Sequence, residues 1–484
     1  MKRKYDVTVV GGGLAGLITG GLLAKSGLKT LIVESDSVLG GRCQAFDWNG
    51  FRCDKYPHVI TAFSKSKDVV LRKAYDMLGV PLELNDDIKW RMAIVGKKGQ
   101  KRPEFTEPLD VSRGGEQFMD FFNVISGITF SSKQRAELRS VLEEMASLSD
   151  ETCAEFVGIR FKDWAEENIK DPTARAFFQG NAILGAIDLA DFSTGRMFFC
   201  TGACYRGDYA YLYPSGGLLM DTMIDPLGRA VKKLGCDIVT ETTVKKINVE
   251  DNHVDGVWLA DNRTAFESEV KTSIVVCTVP VYSILGGVLD EENFTKGELN
   301  FIKMTARWIK GDYIGYYFLD DVVPHDFPGW IHVFDQSAGI PVYKGDIVMY
   351  AGTELSLGGK APKGKQLLMP FFMGGVEGPL GIDDPSLQDI LKKSSEFEGV
   401  IEKVIPGFSK ATQFKSFSFP GEWGRYCYTR YDPHDIIGVK SEAVKRLYFA
   451  GDTVYHPLCH TGTEKVAIIA IDCAEAILRD LRKK

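Results

Sequence analysis

Near the amino terminus, Gly11, Gly12, Gly13, Leu14, Ala15 and Gly16 spell the spacing GxGxxG. A loop of this kind can cradle phosphate. Gly11 permits a tight turn, Gly13 lets backbone N–H groups approach a pyrophosphate, and Gly16 lets a following helix pack close to the preceding strand. Glu34 comes 18 residues after Gly16, where a carboxylate can accept hydrogen bonds from both hydroxyls of a ribose. Ser35 adjoins it. Further on, Gly40 and Gly41 allow close backbone approach, and the guanidinium of Arg42 matches a pyrophosphate in a bidentate way. The chemistry these residues support together is binding of the ADP half of a dinucleotide.

For these groups to meet, the chain must run strand, loop, helix, strand. Residues 5–10 are an apolar run of strand length, Leu17, Ile18, Leu22 and Leu23 recur at helical spacing, Gly27 ends the helix, and residues 29–33 form a second strand closing on Glu34. The pattern predicts an α/β fold with a Rossmann-like nucleotide domain. Residues 239–248, 254–258 and 273–277 read as further strands, the last two apolar enough to be buried. The helix before them is expected to end near Gly235.

The whole chain has room for more than one domain. Its 484 residues suggest two or three, with 44% apolar and 25% charged residues, as in ordinary globular proteins. Acidic side chains outnumber basic ones 65 to 58, which argues against a nucleic-acid partner. Ten cysteines without a CxxC pair suggest neither a disulfide framework nor a metal site, and point to a reducing cytoplasm. The weakly charged stretch 272–289 is broken by Pro280 and two glycines, so no spanning helix is expected; peripheral contact with a membrane stays open.

Residues 34–42, ESDSVLGGR, resemble the ExxxxxGGR signature of the flavin amine oxidase and phytoene dehydrogenase superfamily, which implies FAD bound non-covalently. The resemblance continues at 51–58, FRCDKYPH, similar to a segment FxxDxGPH that leads toward the flavin ring. Tyr56 stands there in place of the usual glycine, and Pro57 and His58 would lie beside the ring. Residues 213–218, YPSGGL, resemble the YPxGG turn, with Gly216 and Gly217. Val244 matches a valine whose backbone contacts adenine. Residues 446–452, RLYFAGD, resemble LYFAGD, so Gly451 and Asp452 would approach the ribityl chain. His456 and Pro457 resemble the HPG of phytoene desaturases, with Leu458 replacing that glycine. A last helix opens at Gly462, and by resemblance its first N–H groups, around Glu464 and Val466, would meet the flavin's pyrimidine edge and stabilise negative charge there. Ala470 and Ile471 occupy the place of a small pair, so looser packing of that helix is expected. The resemblance implies a discontinuous FAD-binding domain of glutathione-reductase type (1–75, 206–290 and 436–484) with an inserted α+β substrate or cap domain (76–205 and 291–435). In the cap, 161–169 and 387–404 read as amphipathic helices, and 313–319 and 366–373 as strands.

In such a protein the flavin takes or gives a hydride at N5 while the chain orients substrate and excludes water. Candidate catalytic residues are His58, His456 and His460, with Tyr455 beside them; each has a structural alternative. Glu464 and Lys465 read as solvated charges at a helix start. The lysine of amine oxidases would fall near Asp312 or Tyr313, and Lys310 is a few residues early. Glycine-rich 374–379 is followed by Asp383, Asp384 and Pro385, which prevent a second dinucleotide helix, so the electron acceptor is external: oxygen, a quinone or a redox protein, unless electrons return to the substrate. Paired aromatics such as Phe177 and Phe178, or Phe198 and Phe199, read mainly as core; any that line a pocket favour a small apolar substrate. The leading expectation is desaturation, saturation or isomerisation of C–C bonds. An amine or porphyrinogen oxidase and a non-catalytic prenyl-protein chaperone on the same fold are the alternatives.

Overall fold

The computed structural model describes the chain except residues 1–3, 56, 58, 87–90, 108–109, 111–112, 127–128, 176, 179–191, 216, 308, 311–312, 325–329, 336–341, 352–358, 373–386, 419–422, 425–431, 433, 458–461 and 484. The first strand, Lys4–Val10, is buried from Val7 onward, as its run of β-branched residues requires. It pairs in parallel with Thr30–Val33 on one side and Glu267–Cys277 on the other. Asp237–Val239 extends this sheet beyond the second strand, and Leu447–Phe449 pairs with the end of Glu267–Cys277, both in parallel.

The registers of these strands decide where a ligand can go. Val239 aligns with Val33, Val33 with Val10, Val10 with Cys277, and Cys277 with Phe449. The carboxyl ends of five parallel strands therefore form one row. The chain leaves it through Thr240, Glu34, Gly11, Thr278 and Ala450, and such a row is where open α/β sheets bind ligands.

The strand Glu267–Cys277 belongs to two arrangements, because its first half pairs antiparallel with His253–Asp261, which pairs in turn with Thr242–Glu250. The expected single strand 239–248 is thus two. Glu241, at φ +52°, turns the chain between them, and its N–H donates to the carbonyl of Asp36 at 2.9 Å. The helix expected to end near Gly235 is Asp225–Lys233, preceded by a wider π-helical turn at Met220–Ile224.

The first helix, Leu14–Lys25, is buried at every position from Leu14 to Ala24. The last helix, Gly462–Arg482, lies against it, and Thr19 Oγ1 donates to the carbonyl of Ala470 at 3.2 Å. Ala470 and Ile471 do not hold the two apart: alanine is small enough for this approach, and the threonine hydroxyl bridges it.

A second sheet runs in the order 412–418, 313–319, 366–372, 342–351, 330–335, 92–95, 104–105. The helix Leu387–Val404 lays Phe397, Val400 and Ile401 against it, meeting Tyr317, Ile331 and Leu368. Tyr313–Leu319, Gln366–Phe372, Leu387–Val404 and Phe161–Asn168 lie where periodicity places them. A third core is aromatic, and Phe177, Phe178, Phe198 and Phe199 are all buried in it. Met304, Ile436 and Tyr455 are partly buried and pack against both this core and that of the parallel sheet. Among the described residues no helix is long and apolar enough to cross a membrane.

Candidate functional site

The glycine loop sits at the row of strand ends. Gly11 has φ +108°, which side chains rarely adopt, and its N–H donates to the carbonyl of Val33 at 2.8 Å. A Cβ on Gly16 would lie 2.0 Å from the carbonyl oxygen of Gly11, so only glycine lets the helix start this close to the strand. Thr278, level with Gly11, donates through Oγ1 to the carbonyls of Val10 and Gly11 at 2.8 and 3.1 Å. It locks the loop to the neighbouring strand. Sequence reading passed over this threonine, although its place at the end of a buried strand marked it.

Glu34 is 7% exposed and its carboxylate binds this loop itself. Oε2 accepts from the N–H of Gly12 at 2.7 Å, and Oε1 from the N–H of Asp36 at 2.8 Å and the hydroxyl of Ser35 at 3.2 Å. Gly40 donates to the carbonyl of Gly12 at 3.0 Å, bringing Gly41 beside Gly13. Val244 is buried on the strand that begins at Thr242, whose N–H donates to the carbonyl of Glu34 at 2.9 Å.

Arg42 and Asp452, singled out separately in the sequence, meet. The guanidinium donates to both carboxylate oxygens at 2.8 and 2.6 Å across 410 positions of chain. Gly451 just before has φ +126°. Burial pushes the thiol of Cys43, next to Arg42, up to about 12.

The start of the last helix differs from expectation. Glu464 and Lys465 are 0% and 3% exposed, so neither is a solvated charge. Glu464 accepts from the N–H groups of Val70 and Leu71 at 2.6 and 3.0 Å, capping the helix Val70–Leu78, whose own N-cap residue Val69 cannot. Burial raises its pKa, with the two N–H groups pulling the other way. Its side chain is thus committed to another helix, and only its backbone N–H remains for a cofactor; Val466 beside it is partly buried. Lys465 Nζ donates to the backbone carbonyl of Asp452 at 2.7 Å.

Of the three candidate histidines, His58 and His460 lie outside the described residues, as do Tyr56, Gly216 and Asp312. Pro57 is partly buried. His456 is 8% exposed, with Nε2 2.9 Å from Oδ2 of Asp472. Asp472 is ten residues past the start of the last helix, about 15 Å along its axis. The ring is therefore held well down that helix, an arrangement that ties the 450–457 segment to it. The His-Pro pattern carried no information about the direction of the ring.

The residues at this row fit a dinucleotide. A Cβ on Gly13 would find nothing nearer than 3.9 Å, so the space before the first helix is open. Gly13 is the helix N-cap without a side-chain cap, and the first turn carries no acid, which leaves its N–H groups and positive dipole end for an anion.

The family model for flavin containing amine oxidoreductases matches residues 14–307, more than half of the chain. The chain belongs to the flavin containing amine oxidoreductase family. It is an FAD-dependent oxidoreductase, and its cofactor is FAD. This family member is 23% identical to the chloroplastic prolycopene isomerase of Daucus carota, over 99% of this chain and 81% of that one. It is 24% identical to the phytoene desaturase of Phycomyces blakesleeanus, over 67% of this chain and 56% of that one. These relatives lie on the phytoene desaturase-like branch of the superfamily. Among solved structures, an oxidoreductase from Methanosarcina mazei superposes with a TM-score of 0.67 at 17% identity, covering 98% of this chain and all of the other. A triple mutant of putrescine oxidase gives 0.63 at 13% identity, covering 99% of each. At such identities the two structures share the fold with this chain.

Proposed function

We propose that this flavoenzyme acts on C–C bonds of an apolar, polyene-like substrate, by desaturation, saturation or isomerisation. FAD supplies the redox chemistry when bound, accepting or returning a hydride at N5. The observation that carries the reading is the junction of two cores: Met304, Ile436 and Tyr455 touch both the nucleotide-side core and the aromatic core of the cap. An apolar substrate between them would meet hydrocarbon on both sides, and Phe63, packed 5.7 and 5.5 Å from the rings of Phe199 and Tyr209, continues that surface. The names of the relatives, a prolycopene isomerase and a phytoene desaturase, favour the same class.

In this reading the domains divide as the sequence suggests: a Rossmann-like FAD-binding domain from 1–75, 206–290 and 436–484, and a cap from 76–205 and 291–435. The N–H groups of Gly13, Leu14, Ala15 and Gly16, with Gly11 shaping the turn, hold the pyrophosphate together with Arg42, beside Gly41. Glu34 takes the ribose: its carboxylate has about four acceptor positions, and the bond from exposed Ser35 is the one a ribose hydroxyl replaces. Val244 meets adenine through its backbone. Gly451 and Asp452 approach the ribityl chain, while Pro57 and the backbone at Glu464 and Val466 flank the ring. Electrons leave to oxygen, a quinone or a redox protein, or return to the substrate.

The test is anaerobic mixing of the purified flavoprotein with candidate substrates, followed by flavin absorbance. Bleaching by polyenes, or conversion of their isomers with reduced flavin present, is expected. Bleaching by polyamines or amino acids with steady peroxide production in air would replace this reading with an amine oxidase.

A further inference from the structure

A lysine inside a protein is uncommon, because taking an ammonium out of water costs several kcal/mol unless acceptors replace the solvent. Lys465 is 3% exposed. It lies in the first turn of the last helix, and its Nζ reaches the backbone carbonyl of Asp452 at 2.7 Å. The Asp452 carboxylate holds Arg42 in a two-bond pair. Glu464, the acid beside Lys465 in sequence, sends both carboxylate oxygens to the N–H groups of Val70 and Leu71. Arg42, Asp452 and Lys465 thus bring two cations and one anion together where the parallel strands end.

We propose that Lys465 is a fixed positive charge for the flavin ring, acting with the N-terminus of the last helix to stabilise the charge that hydride uptake leaves there. The inference rests on the FAD site as read above. A hydride carries two electrons and one proton, so its addition to a neutral ring leaves one negative charge. A buried cation stabilises that charge far more than an exposed one, because little water screens it. The pyrophosphate has donors of its own in the first helix and Arg42. Lys465 belongs to the other helix, the one whose start is assigned to the pyrimidine edge, and this assigns it to the ring and not to the phosphates. Its anchor on the carbonyl of Asp452 fixes the ammonium in place without cancelling its charge.

The experiment uses the FAD-loaded enzyme, its Lys465→Met and Lys465→Arg variants, and anaerobic titration against a reference dye. FAD content and reduced-to-oxidised ratio are both read from absorbance. In Lys465→Met the ratio at a fixed potential is expected to fall about tenfold, which is about 30 mV for a two-electron couple. Lys465→Arg, which keeps the charge, should recover most of it. An unchanged ratio in Lys465→Met overturns the inference, whereas a wild-type protein that takes up no FAD refutes the cofactor site beneath it. Should Lys465→Met fail to fold, the wild type alone still decides: its reduced cofactor should stay anionic to a lower pH than reduced free FAD measured alongside. An equal or higher value overturns the proposal.

Discussion

Gly16→Ala sets two effects of opposite sign against each other. In a helix interior alanine is favoured over glycine by about 1 kcal/mol, so propensity alone predicts a more stable protein. At this position, however, the new Cβ would lie 2.0 Å from the carbonyl oxygen of Gly11 and 3.0 Å from Oγ1 of Thr278. Real Cβ atoms essentially never come within 3.0 Å of such a neighbour, so helix and loop must separate by about 1 Å. Neither side yields easily: the obstacle is backbone, and the first helix is buried from Leu14 to Ala24. Overpacking of this kind costs about 1–3 kcal/mol, which cancels or exceeds the propensity gain. The displaced groups are also those that hold the pyrophosphate, so FAD affinity should fall by about tenfold or more. Gly399→Ala is the control, an exposed position in Leu387–Val404 where a Cβ meets nothing within 4 Å, and it should stabilise by a few tenths to 1 kcal/mol. Denaturant melts of apo and FAD-loaded protein, with flavin content from absorbance, check both. If Gly16→Ala gains stability like Gly399→Ala and keeps its FAD, the close approach of helix and loop does not shape the site.

Two further substitutions probe the same row of strand ends. Glu34→Ala should leave the protein folded but lower its FAD content after gel filtration, because the carboxylate both binds Gly12 and would face the ribose; equal flavin content would remove Glu34 from the site. Glu464→Gln tests the buried cap by pH. Burial raises the pKa of Glu464 in the folded state above its unfolded value, so the folded form holds its proton more tightly. This contribution to stability is fully present below the ordinary carboxylate pKa and is lost as pH rises through the raised value. Denaturant stability from pH 4 upward should therefore decline less steeply in Glu464→Gln than in the wild type; parallel curves would mean that the carboxyl titrates as if solvated.

What could be read from the sequence was local, and what could not was long-range. The turn at Gly11, the helix after it and the acid closing the next strand are each dictated by residues a few positions apart, and periodicity finds such features. The same local logic separates the buried strands from the helix Leu387–Val404. It fails for Glu464 and Lys465, because two charges at a helix start look alike whether they face water or another helix, and the partners of Glu464 lie nearly 400 positions away. It fails again for Arg42 and Asp452, each legible as a charge for the cofactor but not as a pair, and for His456, whose ring direction is set by Asp472 on the last helix. The break at Glu241 was hidden for another reason: nothing in its residue type announces a left-handed backbone, which here follows from joining a parallel strand to an antiparallel one. The contacts that sequence could not supply join the two ends of the chain. Glu464 on Val70 and Leu71, Lys465 on Asp452, Arg42 on Asp452 and Thr19 on Ala470 fix the last helix and the segment before it over the glycine loop. The glycine spacing identifies what such a site can bind, but the charges that tune it are placed by the carboxyl-terminal stretch. The substrate side was the least legible of all, since a buried phenylalanine in the core and one lining a pocket have the same sequence signature.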